Sequence, residues 1–322
     1  MKIKWFAAGS AVLLCAPAYA QVAQEKFPTK NIRMLVPFAA GSQTDILARW
    51  IGERLLDSWG HQVIVDNRPS AGGTIASQTV LDAVADGHTM MMVSTGHAGN
   101  ATLYSKLPYD TIKDFSGVTQ VASVPNLLVV SSTLGVKTVK EFIALAKSKP
   151  GQFNFGSTGI GSGPHYGAAL FNHVAAINAV HVPYRGSPES LTDLMSGRLQ
   201  YILTPVLAAT SLIRSGRIHA LGVTTSYRAQ AFPDVPSLGD ALPGFEYQGW
   251  YGVLAPSKTP RPIINLLAKE ITQIIARNDI QQGIANQGAI AKSSNPEAFD
   301  KLVHEEIATR RKVWKAAGVT AE

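Results

Sequence analysis

The sequence predicts an α/β protein built as two lobes around a cleft, and three observations lead there. Short apolar runs alternate with helical patterns, first over residues 32–93 and again over 153–223. Between the two series a strand followed by a capping box breaks the rhythm, at residues 127–147. About 300 residues also follow a removable leader, more than one comfortable core holds.

In the first series an apolar run at 32–36 precedes a helical pattern at 45–56, a run at 63–65 precedes one at 74–85, and a run at 89–93 follows. Strand, helix, strand in this order means a parallel sheet covered by helices. Residues 127–130, after Pro125, read as the next strand. Thr138-Val139-Lys140-Glu141 is a capping box opening a helix to Lys147, which Lys149-Pro150-Gly151 closes. The second series places strands near 153–155, 180–182, 199–203 and 220–223, with helices near 164–173, 188–196 and 206–215. Residues 250–255 return as a strand, a helix follows Pro256, Pro260 and Pro262, and Asn295-Pro296-Glu297 caps the last helix. The expected partition is 21–126 with 251–322 as one lobe and 127–250 as the other, hinged near 127–130 and 250–255.

The leader is read from Lys2 and Lys4, an uncharged apolar run over 5–15, and Ala18-Tyr19-Ala20 before Gln21. This is the layout of a secretory signal peptide, residues 1–20. A membrane anchor needs about 20 apolar residues, and Pro17 and Gln21 end this run too soon. Cleavage removes the single cysteine and two lysines, so the formal charge falls from +7 to +5 and the mature chain has no thiol, disulfide or cysteine-bound metal. The expected location is the periplasm. Lysines and arginines are mixed with acids over 137–149 and 301–315, and no basic run alternates with aromatics, so a nucleic-acid partner is not expected.

Two strand-to-helix loops carry the candidate chemistry. Val36-Pro37-Phe38-Ala39-Ala40-Gly41-Ser42-Gln43-Thr44-Asp45 ends the first strand, and Gly156-Ser157-Thr158-Gly159-Ile160-Gly161-Ser162-Gly163-Pro164-His165 repeats the arrangement in the second lobe. Small residues at a helix start present free N–H groups to an anion, and one loop per lobe grips a carboxylate from both sides. Each loop alone reads equally well as an ordinary tight connection. Neither has the Gly-Lys-Ser/Thr ending of a P-loop or the spacing of a dinucleotide fingerprint. Ser157, Ser162 and His165 are the candidates for a nucleophile and base, but no serine sits in a Gly-x-Ser-x-Gly elbow. His165, His173 and His181 make no metal-binding pattern. Ser94 and the segment to Asn100 form a candidate wall, and Arg185 serves either a ligand carboxylate or Glu189.

At these residues the chain resembles the Bug family, the extracytoplasmic receptors of tripartite tricarboxylate transporters. The motifs run in order: Val36-Pro37-Phe38-Ala39-Ala40-Gly41 with Asp45, Asn67-Arg68-Pro69 with Ala71-Gly72-Gly73, Asp86-Gly87, Leu107-Pro108-Tyr109-Asp110, Asp114-Phe115, Gly156-Ser157-Thr158-Gly159 with Gly161-Ser162 and His165, His181-Val182-Pro183-Tyr184-Arg185-Gly186, and Pro233-Asp234-Val235-Pro236. Ser42 stands where the family usually has a second glycine, Arg185 where lysine is common, and Gln200 where many relatives carry aspartate.

The resemblance implies a two-lobed type II periplasmic-binding-protein fold closing on a carboxylate. The ligand would be held by Phe38, Ala39, Ala40, Gly41 and Ser42 from one lobe and by Ser157, Thr158, Gly161 and Ser162 from the other, with Ser94, His165, Arg185 and Gln200 completing the site. It implies a monomeric, non-enzymatic receptor without cofactor or metal, working with transporter membrane components. A sensor-kinase adaptor and a periplasmic hydrolase are the alternatives. Gln200 in place of an acid favours a dicarboxylate over an amino acid, whose buried ammonium would need an anionic partner, Asp45 being the fallback. Phe38, Tyr166 and Tyr184 would be flat walls suited to an aromatic body such as terephthalate, and Arg185 a bidentate partner for its second carboxylate.

Overall fold

The computed structural model describes residues 27–70, 73–184, 186–316 and 318–319. The expected signal peptide and Arg185 lie outside the described residues.

The first sheet begins as the sequence predicts. β1 (Ile32–Val36), α1 (Gln43–Trp59), β2 (Val63–Asn67), α2 (Thr74–Leu81), β3 (Thr89–Ser94) and α3 (Gly96–Leu103) alternate, and β1 pairs parallel with both β2 and β3. β4 (Phe115–Val124) then leads through Pro125 into β5 (Asn126–Ser131), the first strand of a second sheet. There follow α4 (Val139–Ser148), β6 (Phe153–Ser157), α5 (Gly163–Ala175), β7 (Ala179–Pro183), α6 (Ser187–Met195), β8 (Tyr201–Pro205), α7 (Val206–Arg214), β9 (Ile218–Val223) and the short α8 (Leu238–Ala241). The chain returns to the first sheet as β10 (Gly249–Pro256) and ends with α9 (Arg261–Ile275), α10 (Asn278–Asn286), β11 (Ile290–Ala291) and α11 (Pro296–Ala316).

Strand order is β11-β4-β10-β3-β1-β2 in one sheet and β7-β6-β8-β5-β9 in the other. Both are mixed rather than purely parallel. β10 runs antiparallel to β3 and β4, and β5 antiparallel to β8 and β9. The strands that carry the chain between the sheets account for this, because each enters its sheet from the side opposite to a helix crossover. The two connections lie together: Asn126 N–H donates to Thr224 Oγ1 at 3.0 Å, Thr224 N–H to the Asn126 carbonyl at 2.9 Å, and Tyr247 N–H to the Thr224 carbonyl at 2.9 Å.

Each sheet has its own core, with Ile32, Met34, Ile51 and Ile271 in the first and Phe142, Phe155, Phe171 and Tyr201 in the second. α11 belongs to both lobes' packing. Its Phe299, Val303 and Ile307 lie against Trp250 and Leu254, whereas Val313 and Trp314 enter the second core beside Tyr166 and Phe171.

Local signals set the helix ends. Thr138 Oγ1 accepts from Glu141 N–H at 3.2 Å while the Glu141 carboxylate accepts from Lys137 N–H at 2.8 Å. Thr138→Ala is expected to cost about 1 kcal/mol, the ordinary value of an N-cap, measured as a shift of the urea midpoint without a change in slope; an unchanged midpoint would show the cap to be dispensable.

Candidate functional site

Between the sheets lies a cavity of about 300 Å³, at the small end of ligand sites. Its walls come from both lobes: Pro37, Phe38, Ser77 and residues 93–97 on one side, Thr158 and residues 160–164 on the other, with Asn126, Tyr247 and residues 249–251 at the crossing.

The βα order of the chain aims helix starts at this space, because a helix that follows a parallel strand begins at that strand's carboxyl end. Gly73, Gly96, Gly163, Ser187 and Pro205 all line the cavity, and each opens or caps a helix: α2, α3, α5, α6 and α7 respectively. Helix N-termini bring unpaired N–H groups and partial positive charge. Among the described residues none of the lining side chains is Asp, Glu, Lys or Arg.

The second-lobe loop shows which donors are free. Gly161, at φ +76°, sends its N–H to His165 Nδ1 at 3.1 Å, and Ser162 N–H goes to the Gly159 carbonyl at 3.2 Å. Ser162 Oγ caps α5 by accepting from His165 N–H at 3.3 Å. The N–H groups of Thr158, Ile160 and Gly163 donate to no acceptor among the described residues, and all three residues line the cavity.

Ser157 is turned away from the cavity. Its Oγ accepts from Gly159 N–H at 3.1 Å and lies 2.7 Å from His181 Nε2. The spacing suits a nucleophile and base, but Ser157 is 2% exposed and outside the lining, so the pair braces the loop instead. His181 stacks on His165 with centroids 3.7 Å apart. Burial pulls the His165 pKa down to about 3, with help from His181 and Arg310, and that of His181 to about 4. Both rings are therefore neutral near pH 7, and for His165 the Gly161 N–H···Nδ1 bond requires it.

In the first-lobe loop only Phe38 of the predicted set reaches the cavity; Ala39, Ala40, Gly41 and Ser42 stand outside its lining. That loop closes on itself. Ser42 N–H donates to the Ala39 carbonyl, Ser42 Oγ accepts from Asp45 N–H, and Gly41 N–H donates to Asp45 Oδ2 at 2.9 Å. Asp45 also takes Arg49 and Asn67. Burial alone would raise its pKa, yet these bonds bring it below the ordinary carboxylate value. It is thus committed and unavailable to a ligand amine.

Of the remaining predicted residues, Ser94 lines the cavity, and His165 lies behind the loop it supports. Gln200 is outside the lining: it accepts from Asn154 N–H at 2.7 Å and donates to the Gly197 carbonyl at 3.0 Å. Tyr166 packs under the Arg310 guanidinium and Tyr184 donates to Asp193, so neither is a cavity wall.

Sequence reading did not single out Tyr247, Asn126 or Arg310. Tyr247 and Asn126 come from the crossings, where no local motif marks them. Arg310, on α11, is fully buried. Its Nε donates to Glu306 Oε1 at 2.8 Å, its Nη1 lies 3.5 Å from the Gly161 carbonyl, and Glu306 also accepts from the Trp250 indole.

Comparison with known proteins agrees with this architecture. The sequence profile of the tripartite tricarboxylate transporter family receptors (TctC) matches residues 47–319. A UPF0065 protein from the tcbD-tcbE intergenic region of Pseudomonas sp. strain P51 is 36% identical over 284 residues, 88% of this chain and 84% of the relative. The solved structure of R. palustris Rpa4515 with adipate superposes with a TM-score of 0.80 at 33% identity, covering 92% of this chain and all of the other. MatC (Rpa3494) from Rhodopseudomonas palustris with bound malate gives 0.76 at 30% identity, covering 89% and 99%. Two lobes, a cavity ringed by helix starts and a family match over most of the length lead to one conclusion: the chain belongs to the tripartite tricarboxylate transporter family receptors, the periplasmic solute-binding proteins to which its Bug-like motifs pointed.

Proposed function

We propose that this receptor captures a small dicarboxylate in the interlobe cavity and delivers it, without chemical change, to the membrane components of a tripartite transporter. The observation that carries this reading is the cavity wall: helix N-termini from both lobes, hydroxyls at Ser94, Thr158 and Ser162, and no acidic side chain among the described residues. An anion finds donors on such a wall. An ammonium finds no counter-charge, and burying it unpaired is costly. Two solved relatives carry adipate and malate, both dicarboxylates.

Hydrogen bonds to a charged group contribute roughly 1.5–3 kcal/mol each, and micromolar affinity needs about 8 kcal/mol. The amides of Thr158, Ile160 and Gly163 with the hydroxyls of Thr158 and Ser162 are enough donors for that after the cost of association. The mature chain is expected to start at Gln21 in the periplasm, which mass spectrometry of an extract checks.

Calorimetric titration with adipate, succinate, malate, terephthalate, citrate, glutamate and aspartate tests the ligand class. The expected result is micromolar or tighter binding of at least one dicarboxylate lacking an amine. Tight binding of glutamate or aspartate with silence from every such dicarboxylate would overturn it.

A further inference from the structure

Phe38 and Ile160 are large apolar side chains left 38% and 50% exposed, and both line the interlobe cavity, one from each lobe. Scattered singly, exposed apolar residues are ordinary on a protein surface. Two that line one cavity from opposite lobes are different, because closure over a ligand removes both from water together. Their loops fix them in place. The Phe38 carbonyl accepts from Asn67 Nδ2 at 3.0 Å, and Ile160 stands between Gly159 and Gly161, at φ +113° and +76°. The Ile160 N–H donates to no acceptor among the described residues, so one residue brings both a donor and an apolar side chain to the cavity.

The polar side chains at the lobe crossing are already committed. The Trp250 indole donates to Glu306, the Tyr251 hydroxyl to Gln43 Oε1 at 2.6 Å, and Asn126 Nδ2 to the Val124 carbonyl at 3.3 Å, while Asn126 Oδ1 is buried. The Tyr247 hydroxyl is bonded to Thr95. Ser94, Thr158 and Ser187, whose hydroxyls have no partner among the described residues, stand instead at or just past a strand's end or at a helix start, beside the amides suited to a carboxylate.

Carboxylates therefore find donors at the loops, whereas a hydroxyl on the body between them meets apolar side chains and polar groups that are already paired. Burying it without a bond is costly. We infer that this receptor selects dicarboxylates whose body is plain hydrocarbon, with Phe38 and Ile160 as the specificity-determining side chains that cover that body when the lobes close. This rests on the dicarboxylate reading above and narrows it to acids without a hydroxyl.

The test compares matched acids on the mature protein by calorimetry: succinate against malate, glutarate against 3-hydroxyglutarate, adipate against 3-hydroxyadipate, and terephthalate against 2-hydroxyterephthalate. In the pair that binds most tightly, the wild type should prefer the unsubstituted acid by at least about fivefold, the effect of one buried hydroxyl without a partner. Ile160→Asn replaces an apolar side chain with an amide on an exposed loop, and Phe38→Asn does so in the other lobe. Each should shrink that preference by at least about threefold, chiefly by weakening the unsubstituted acid. A preference undiminished in either variant, or an equal loss for both acids of the pair, overturns the inference and spares the function proposed above. So does a wild type that binds the hydroxy acid as tightly as its partner. A wild type that binds no dicarboxylate lacking an amine overturns both. Should one variant fail to fold by circular dichroism, the other decides alone by the same criteria.

Discussion

Gly163→Val is expected to abolish useful binding, lowering affinity for the best dicarboxylate by at least about 100-fold, near 2.7 kcal/mol. Gly163 is the first residue of α5, and its N–H is one of the three in the second-lobe loop that donate to no acceptor among the described residues. A Cβ there would stand 2.7 Å from the Tyr247 hydroxyl and 3.2 Å from Thr95 Oγ1. Thr95 belongs to the opposite lobe and Tyr247 to the crossing between them, so the added side chain wedges the lobes apart where they meet most closely. Tyr247 also packs in the second lobe's core against Tyr166, so the unliganded variant should melt somewhat below the wild type while remaining folded. Calorimetry gives the affinity, and solution scattering with saturating ligand should show compaction for the wild type and none for the variant. Wild-type affinity in Gly163→Val would mean that binding does not need this approach of the lobes.

Arg310→Ala is expected to lose about 3–5 kcal/mol of stability, the usual result of removing one partner of a buried pair. Arg310 is completely buried, its Nη2 lies 2.6 Å from Glu306 Oε1, and Glu306 is itself only 11% exposed. The guanidinium also lies 4.1 Å from the Tyr166 ring centre, a cation–π contact that adds to the loss. Because Nη1 reaches towards the Gly161 carbonyl, the same substitution loosens the loop whose amides face the ligand. Urea unfolding measures the first effect and ligand titration the second. Combining Arg310→Met with Glu306→Gln should recover part of the stability, since the uncompensated charge is then gone. A fully stable Arg310→Ala would show that water reaches Glu306 once the arginine is absent.

Much of the local structure was legible in the sequence because its causes are local. Thr138 and Asn295 occupy the cap positions expected of them and accept a first-turn N–H, and Ser42 and Ser162 do the same at the starts of α1 and α5. β1 spans the residues its apolar run predicts. β4 escaped notice although it has ten residues and is buried along nearly its whole length. Its sequence Phe-Ser-Gly-Val-Thr-Gln-Val-Ala-Ser-Val has no clean alternation. A strand covered on both faces needs none, because its polar side chains are satisfied within the fold: Thr119 Oγ1 donates to the distant Ser294 carbonyl and Gln120 Nε2 to Ser123 Oγ on the same strand.

The site divides in the same way. The ordered motifs from Val36 to Pro236 carried the resemblance to the family, and the two small-residue loops marked Phe38, Thr158, Gly161 and Ser162, which line the cavity. Side-chain direction was not decided there. Ser157 turns to His181, Gln200 to the Asn154 backbone and Asp45 to Asn67, partners that only the folded chain brings near, although Gln200 and Asp45 also bond locally to Gly197 and Gly41. Helix starts and loop chemistry follow from residues within a few positions of each other, so the sequence by itself determined them. The cavity unites Thr95, Gly163 and Tyr247 from segments far apart in the chain, and Arg310 is buried by both lobes at once. Those juxtapositions arise from packing over long sequence separations, and only the tertiary structure decided them.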